Sequence, residues 1–334
     1  DYTDSSCPAL LLEPLRTNKL SNSEYINSGS TWVEENGADC TPNYATSPEG
    51  IDNATRVQLD NSGAFSLTRI WSSFIPDASS DTASFYAKSN TGSSFDIVIY
   101  WRDSGFGSVR GNKIITLTTS WQRFDLTADC SGAAGNVMFL IYNTTANENW
   151  DFLMYGAQVE AGSYATSYIP TYGSSVTRVG DACDGAGNAS TFNDSEGVLY
   201  AEVSTLLDFT GGNRAVSISD STNNNRITFI IVDSNQIQFF VNAGGSFIIA
   251  TSSGVISDLD LNVKIAVKYK SSDYALWING TEVYTSNISS LASGLNVLQF
   301  NSGAGSSSFY GNAKQILYFP TALTDEELAD LTTL

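Results

Sequence analysis

Phe95-Asp96-Ile97-Val98-Ile99-Tyr100-Trp101-Arg102 is the stretch whose reading decides the fold class. Phe95, Ile97, Ile99 and Trp101 alternate with Asp96, Val98, Tyr100 and Arg102, and in an extended chain successive side chains point to opposite sides. One face is therefore strongly apolar, the mark of a half-buried strand. Alternation puts Trp101 with the core residues and Tyr100 and Arg102 on the opposite face. Working outward, similar short runs occur at 83–87, 114–117, 121–126, 137–142 and 152–159, each bounded by Gly, Ser, Asn or Asp. This spacing predicts an antiparallel sandwich and not βαβ units.

The stretch 171–190, rich in Gly, Ser, Ala and Asp and without periodicity, reads as a linker between domains 1–170 and 191–334. Beyond it Leu199, Ala201 and Val203 alternate with polar neighbours, and 214–219 and 226–232 flank the turn 220–225 as a hairpin. Val263 to Lys270 and Tyr274 to Ile278 form another around Ser271-Ser272-Asp273, and Asn279-Gly280 turns the chain again. A helix is expected only at the end, where Thr324 and Glu327 make a capping box before Leu328 and Leu331. The prediction is an all-β chain of two tandem antiparallel sandwiches with a short C-terminal helix.

Composition narrows the function. Among 334 residues, 35 acidic against 16 basic side chains give a net charge of −19, which repels nucleic acid and anionic membrane over most of the surface. The chain has no histidine, so the usual general base near neutral pH and the commonest metal ligand are missing. Four widely spaced cysteines, Cys7, Cys40, Cys130 and Cys183, show no CxxC, which argues against a zinc site and leaves disulfides open. No run approaches 18 apolar residues and Asp1-Tyr2-Thr3-Asp4 carries no signal-peptide pattern; a start without Met is expected of a processed or trimmed chain. Asn-x-Ser/Thr strings begin at six positions, as chance provides in so Asn- and Thr-rich a chain.

Several strings resemble known families. Cys7-Pro8-Ala9-Leu10-Leu11-Leu12-Glu13-Pro14, Trp121-Gln122-Arg123-Phe124, Tyr155-Gly156-Ala157-Gln158-Val159-Glu160-Ala161-Gly162 and Thr166-Ser167-Tyr168-Ile169-Pro170-Thr171 resemble a module of bacteriophage tail and other virion-surface proteins, a jelly roll similar to carbohydrate-binding modules. Ala266-Val267-Lys268-Tyr269-Lys270, Trp277-Ile278-Asn279-Gly280 and the run from Leu317 to Leu328 look like a laminin-G or concanavalin-type lectin/glucanase domain. The resemblance implies jelly roll then concanavalin-like sandwich, on a virion surface or outside the cell, and a non-catalytic adhesin or decoration protein. Its implied partners are a cell-surface glycan or polysaccharide, other virion or appendage subunits, and further copies of itself. It further implies disulfides Cys7–Cys183 and Cys40–Cys130, and one structural Ca²⁺ held by residues of the type of Glu34, Glu35, Asp39 and Asp151.

Glucanases of the concanavalin type carry E-x-D-x-x-E on one strand, and this chain has no such string. A sugar site needs an aromatic face for pyranose C–H groups with hydrogen-bonding side chains beside it. Two places qualify: Tyr100, Arg102 and Asp103, running into a mobile loop at Gly105-Phe106-Gly107, and Trp277. If Ser271-Ser272 forms a two-residue loop, Trp277 sits opposite Ala266 between Lys264 and Lys268, exposed as a platform for an acidic glycan or packed on a neighbouring surface. The rivals are a self-assembling structural subunit and a polysaccharide-degrading enzyme.

Overall fold

The computed structural model describes residues 8–61, 67–77, 79–145, 147–206, 212–232, 234–253, 256 and 262–334. The chain divides into a first unit, Leu15–Val179, and a second unit, Asp1–Pro14 with Gly180–Leu334. Each is an antiparallel sandwich, and Asp325–Thr332 is the one α-helix among the described residues. The expected fold class holds.

In the first unit the front sheet runs Trp32–Glu35, Thr68–Phe74, Val137–Asn143, Phe95–Asp103, Val109–Leu117. The back sheet runs Gln122–Asp129, Ser80–Ser89, Asn149–Ala161, Ala54–Asp60, Ala38–Ala45. The chain switches sheets repeatedly, which makes a jelly roll. Ile97, Ile99 and Trp101 from the front meet Phe85, Val57 and Phe152 from the back, as the alternation required. Trp101 is fully buried, and its indole N–H is satisfied by the Leu126 carbonyl at 2.8 Å.

The Gly156-to-Gly162 string proves to be architectural. Register against Ser80–Ser89 shifts between Tyr155 and Gln158, a bulge. Gly156 sits at φ +63°, where an added Cβ would lie 3.3 Å from the Tyr86 ring. The bulge re-aims Gln158 and Glu160, both fully buried, toward 166–169: the Gln158 carbonyl accepts from Ile169 N at 2.7 Å, and Glu160 accepts from Thr166 N and Oγ1 at 2.8 and 2.6 Å. Buried Asn18 ties the incoming segment to the same place through Ala157, Val159 and Ile169. A closed polar network of this kind fixes one arrangement, because each unmet partner would cost desolvation energy.

In the second unit one sheet runs Leu10–Leu12, Gly311–Phe319, Glu196–Thr205, Val263–Lys270, Tyr274–Ile278, Thr281–Ser286. The other runs Asp184–Ala186, Val297–Gln299, Arg214–Ser219, Arg226–Val232, Gln236–Ala243, Ser246–Ser252. Residues 1–170 are thus not one unit: Leu10–Leu12 pairs with Gly311–Phe319, and Leu12 enters the second core. The edge strand gains a backbone partner and Leu12 leaves water. The stretch 171–190 is not all linker either, since Val176–Arg178 pairs with Arg16–Asn18 and Asp184–Ala186 with Val297–Gln299. The helix starts as expected: Thr324 Oγ1 accepts from Glu327 N at 3.3 Å and Glu327 accepts from Thr324 N at 2.8 Å.

The Cys40–Cys130 disulfide implied by resemblance is not formed. Cys40, Cys130 and Cys183 are free thiols, and Cys7 lies outside the described residues. Cys40 is on one edge strand of the back sheet and Cys130 directly follows the other edge strand. Four strand spacings of about 4.8 Å put them roughly 19 Å apart, far beyond the ~7 Å Cα separation a disulfide spans. Burial pushes the Cys130 thiol up to about 11 and that of Cys40 higher still, so both behave as small apolar residues.

Candidate functional site

The outer side of the front sheet, away from the core, carries a cluster of aromatic and polar groups. Register sets it out in rows: Glu35, Arg69 and Tyr142 align across three strands, and beside them Val33, Trp71, Leu140, Tyr100 and Asn112 across five. The Tyr100 and Tyr142 rings lie 5.7 Å apart. The Arg69 guanidinium lies 3.3 Å from the centre of the Phe106 ring and 5.7 Å from that of Tyr142. Glu35 fixes it, accepting from Arg69 Nε at 2.7 Å and from Trp71 Nε1 at 3.2 Å. Trp71 and Phe106 meet edge to face at 5.7 Å.

Phe106 reaches Trp71 from Ser104–Phe106, a 3₁₀ turn following Phe95–Asp103, so it crosses the intervening strand Val137–Asn143. Met138 and Leu140, on the outer side of that strand, are buried accordingly. The loop expected to be mobile is instead a pinned turn. Ser104 N donates to Asn136 O at 2.9 Å, Arg102 Nε to Gly107 O at 3.2 Å, and Asp103 pairs with Arg110. Phe106 holds φ +60°, a conformation rare outside glycine and one that the surroundings must enforce. Tyr100 thus stays on the open face, whereas Arg102 and Asp103 are engaged in shaping the turn.

Two residues along from Tyr100, Val98 continues the face into a cleft of about 480 Å³ lined by Asp96, Val98, Ile114, Thr145, Glu148 and Trp150. Asp96 accepts from Thr116 at 2.6 Å and Glu148 from Trp150 Nε1 at 3.1 Å. The whole is a half-open aromatic strip with the Arg69 guanidinium stacked on one of its rings and carboxylates in the adjoining cleft. Such a surface stacks flat C–H faces and hydrogen-bonds hydroxyls. Sequence reasoning did not single out Arg69, Trp71 or Tyr142, which the structure brings to this candidate site. The alternation of Arg69 and Trp71 with Ile70 and Ser72 was the available signal.

The second expected platform is corrected. Trp277 does face Ala266 across the strand pair and does point away from the main core, but it is only 8% exposed. The C-terminal helix covers it, with Leu328 fully buried and Leu323 and Leu331 packed around. The lysines hold that helix at both ends. Lys268 pairs with Asp325 at 3.0 Å and Asp273 at 2.8 Å, and Lys264 donates to the Thr333 carbonyl at 2.8 Å, where the helix dipole favours a cation. Burial alone would lower the Lys268 pKa, but its two carboxylate partners outweigh that and raise it.

The expected Ca²⁺ ligands do not converge. Glu34 accepts from Ser28 N and Cys40 N, Glu35 is bound to Arg69, Asp151 to Arg56 and Asn90, and Asp39 is exposed on the opposite sheet from Glu34 and Glu35. Among the described residues no three His, Cys, Asp or Glu side chains gather as a metal site.

No family model matches this chain, and no curated protein matches it. Among solved structures, the CBM40 domain of the Ruminococcus gnavus IT-sialidase aligns at 15% identity over 46% of this chain and 97% of its own, with a TM-score of 0.38. The xylan-binding CBM22-1 domain of Paenibacillus barcinonensis Xyn10C aligns at 14% identity over 46% and 94%, TM-score 0.30. The enzymatically active domain of bacteriophage CBA120 tailspike protein 4 aligns at 13% identity over 42% and 21%, TM-score 0.32.

Proposed function

We propose that this protein is a non-catalytic carbohydrate-binding protein displayed on a virion surface or an extracellular appendage, and that the front face of the first unit holds the glycan. One observation carries the reading: Trp71, Phe106, Tyr142 and Tyr100 form an aromatic strip outside the core, fixed by the Glu35–Arg69 pair. Rings that serve only folding are placed inside, as Trp101 and Phe139 are. A pyranose laid on the strip would leave its hydroxyls within reach of Arg69, Asn112 and the cleft carboxylates. The absence of histidine from the sequence supports binding without turnover.

Glycan-array binding by the soluble chain, followed by Trp71→Ala and Tyr100→Ala, tests this. Each substitution should weaken binding about 5- to 10-fold, the worth of a stacked ring, with little change in melting temperature. Reducing-sugar release from a bound glycan would replace the reading with that of an enzyme. Self-assembly without glycan binding would replace it with that of a structural subunit.

A further inference from the structure

The second unit carries an arginine whose surroundings the fold alone does not account for. Arg226 is 7% exposed on the side of Arg226–Val232 that faces away from the core, and it forms no ion pair with any described carboxylate. That is unusual in a chain with 35 acidic residues, because a buried charge is ordinarily paired. Its acceptors are all neutral: Asn242 Oδ1 at 3.2 Å from Nε, Asn223 Oδ1 at 2.7 Å from Nη1, and the Ser302 carbonyl, also from Nη1. Nη2 has no described acceptor, yet it is not among the sealed unpartnered atoms of the interior, so it stays open to solvent. Three neutral contacts therefore aim a guanidinium whose free edge and full charge remain available.

The neighbours complete a site. Register places Ser219, Arg226, Asn242 and Phe247 in one row, and Ser217, Thr228 and Phe240 in the next. Phe247 is 60% exposed, packs on Phe240 at 5.6 Å, and has the Arg226 guanidinium 5.9 Å from its ring centre. Thr228 lies fully buried beneath them, its hydroxyl sealed from solvent and without a partner, so the polar contacts open to a ligand are those of Arg226.

We propose that this patch is a second carbohydrate site, selective for a sugar that bears a carboxylate. The N–H groups of Arg226 Nη2 donate charge-assisted hydrogen bonds to the carboxylate, and the exposed ring of Phe247 stacks against the sugar. A lone acidic residue at a glycan terminus suits the site better than a polyanion, which the net charge of −19 would repel. The site belongs to the second unit, whereas the front face belongs to the first, and it does not depend on that reading.

The test titrates trisaccharides ending in glucuronate, galacturonate or N-acetylneuraminate, each against the same trisaccharide with its carboxylate reduced to an alcohol. The protein is the full chain carrying Trp71→Ala, which weakens any binding at the front face. At least one acid should bind about 10-fold or more tighter than its reduced counterpart, the usual worth of a charge-assisted hydrogen bond. Phe247→Ala, at an exposed position, should cut that affinity about 5- to 10-fold with the melting temperature unchanged. Equal binding of acid and alcohol, no binding of any acid, or full affinity in Phe247→Ala would each overturn the proposal. Selective binding that survives Trp71→Ala upholds it even if the front face proves inert.

Discussion

Trp277→Ala should destabilise the second unit, because the structure makes this residue the base on which the C-terminal helix rests. The side chain is 8% exposed. Burying about 200 Å² of indole at about 25 cal/mol per Å² contributes roughly 5 kcal/mol, which residual burial in the unfolded chain reduces to about 3–4 kcal/mol. Against this, Trp277 Nε1 is buried without a partner, a desolvation cost of about 1 kcal/mol or more that the substitution relieves. The net expectation is a loss of about 2–3 kcal/mol, at or just below the roughly 3–5 kcal/mol usual for a buried Trp cut to Ala. Trp277→Phe keeps most of the apolar body and removes the orphan donor, so it should lose less than about 1.5 kcal/mol. An eight-residue helix has little stability of its own, so the loss should appear first as undocking of Asp325–Thr332. Urea unfolding measures the total, and amide exchange at 327–332 measures the undocking. A Trp277→Ala protein within about 0.5 kcal/mol of the parent, with those amides still protected, would show that the helix does not depend on the indole.

Three further outcomes follow from the same contacts. Glu160→Ala should cost about 3–5 kcal/mol, since it strands Thr166, Gln158 and Arg16 together; chemical denaturation decides this, and a loss below about 1 kcal/mol would mean that the network is dispensable. Native Cys40 and Cys130 should resist iodoacetamide at about pH 8 and react fully in denaturant, with no Cys40–Cys130 peptide on non-reducing mapping; rapid labelling of the folded chain would contradict the burial argument. At Asp151 burial pushes the pKa up, but hydrogen bonds from Arg56 and Asn90 outweigh it and leave the carboxyl below its usual value. The pair therefore adds stability above the unfolded value of about 3.9, and that stability is lost as pH falls through the lower folded value. The stability of Arg56→Met should accordingly depend less steeply on pH below about 4 than that of the parent, as urea unfolding across that range would measure; equal slopes would remove the pair from the acid response.

Period-two alternation was enough to read the class, the burial of Trp101 and the exposed side of Tyr100, and a two-residue loop at Ser271-Ser272 gave the pairing of Trp277 with Ala266. The capping box at Thr324 and Glu327 was equally plain. All of these depend on residues within a few positions of each other along the chain, where backbone geometry alone sets the outcome. Of the candidate front-face site the sequence pointed only to Tyr100; Arg69, Trp71 and Phe106 lie on other strands and loops, and strand order does not show in local spacing.

What the sequence determined by itself was which side of each strand would be apolar and where the chain would turn. What lies over each outer side was decided by tertiary structure. The helix came down on Trp277 and turned a predicted platform into a packed layer. The 3₁₀ turn folded Phe106 across to Trp71 and built the front-face strip instead. Strand order also set Cys40 and Cys130 at opposite edges of one sheet, and it drew Leu10–Leu12 into the second unit. Alternation is a property of one strand, whereas cover, edge and neighbour belong to pairs of elements far apart in sequence. Those pairings are selected by the total apolar surface removed from water, which no local pattern specifies.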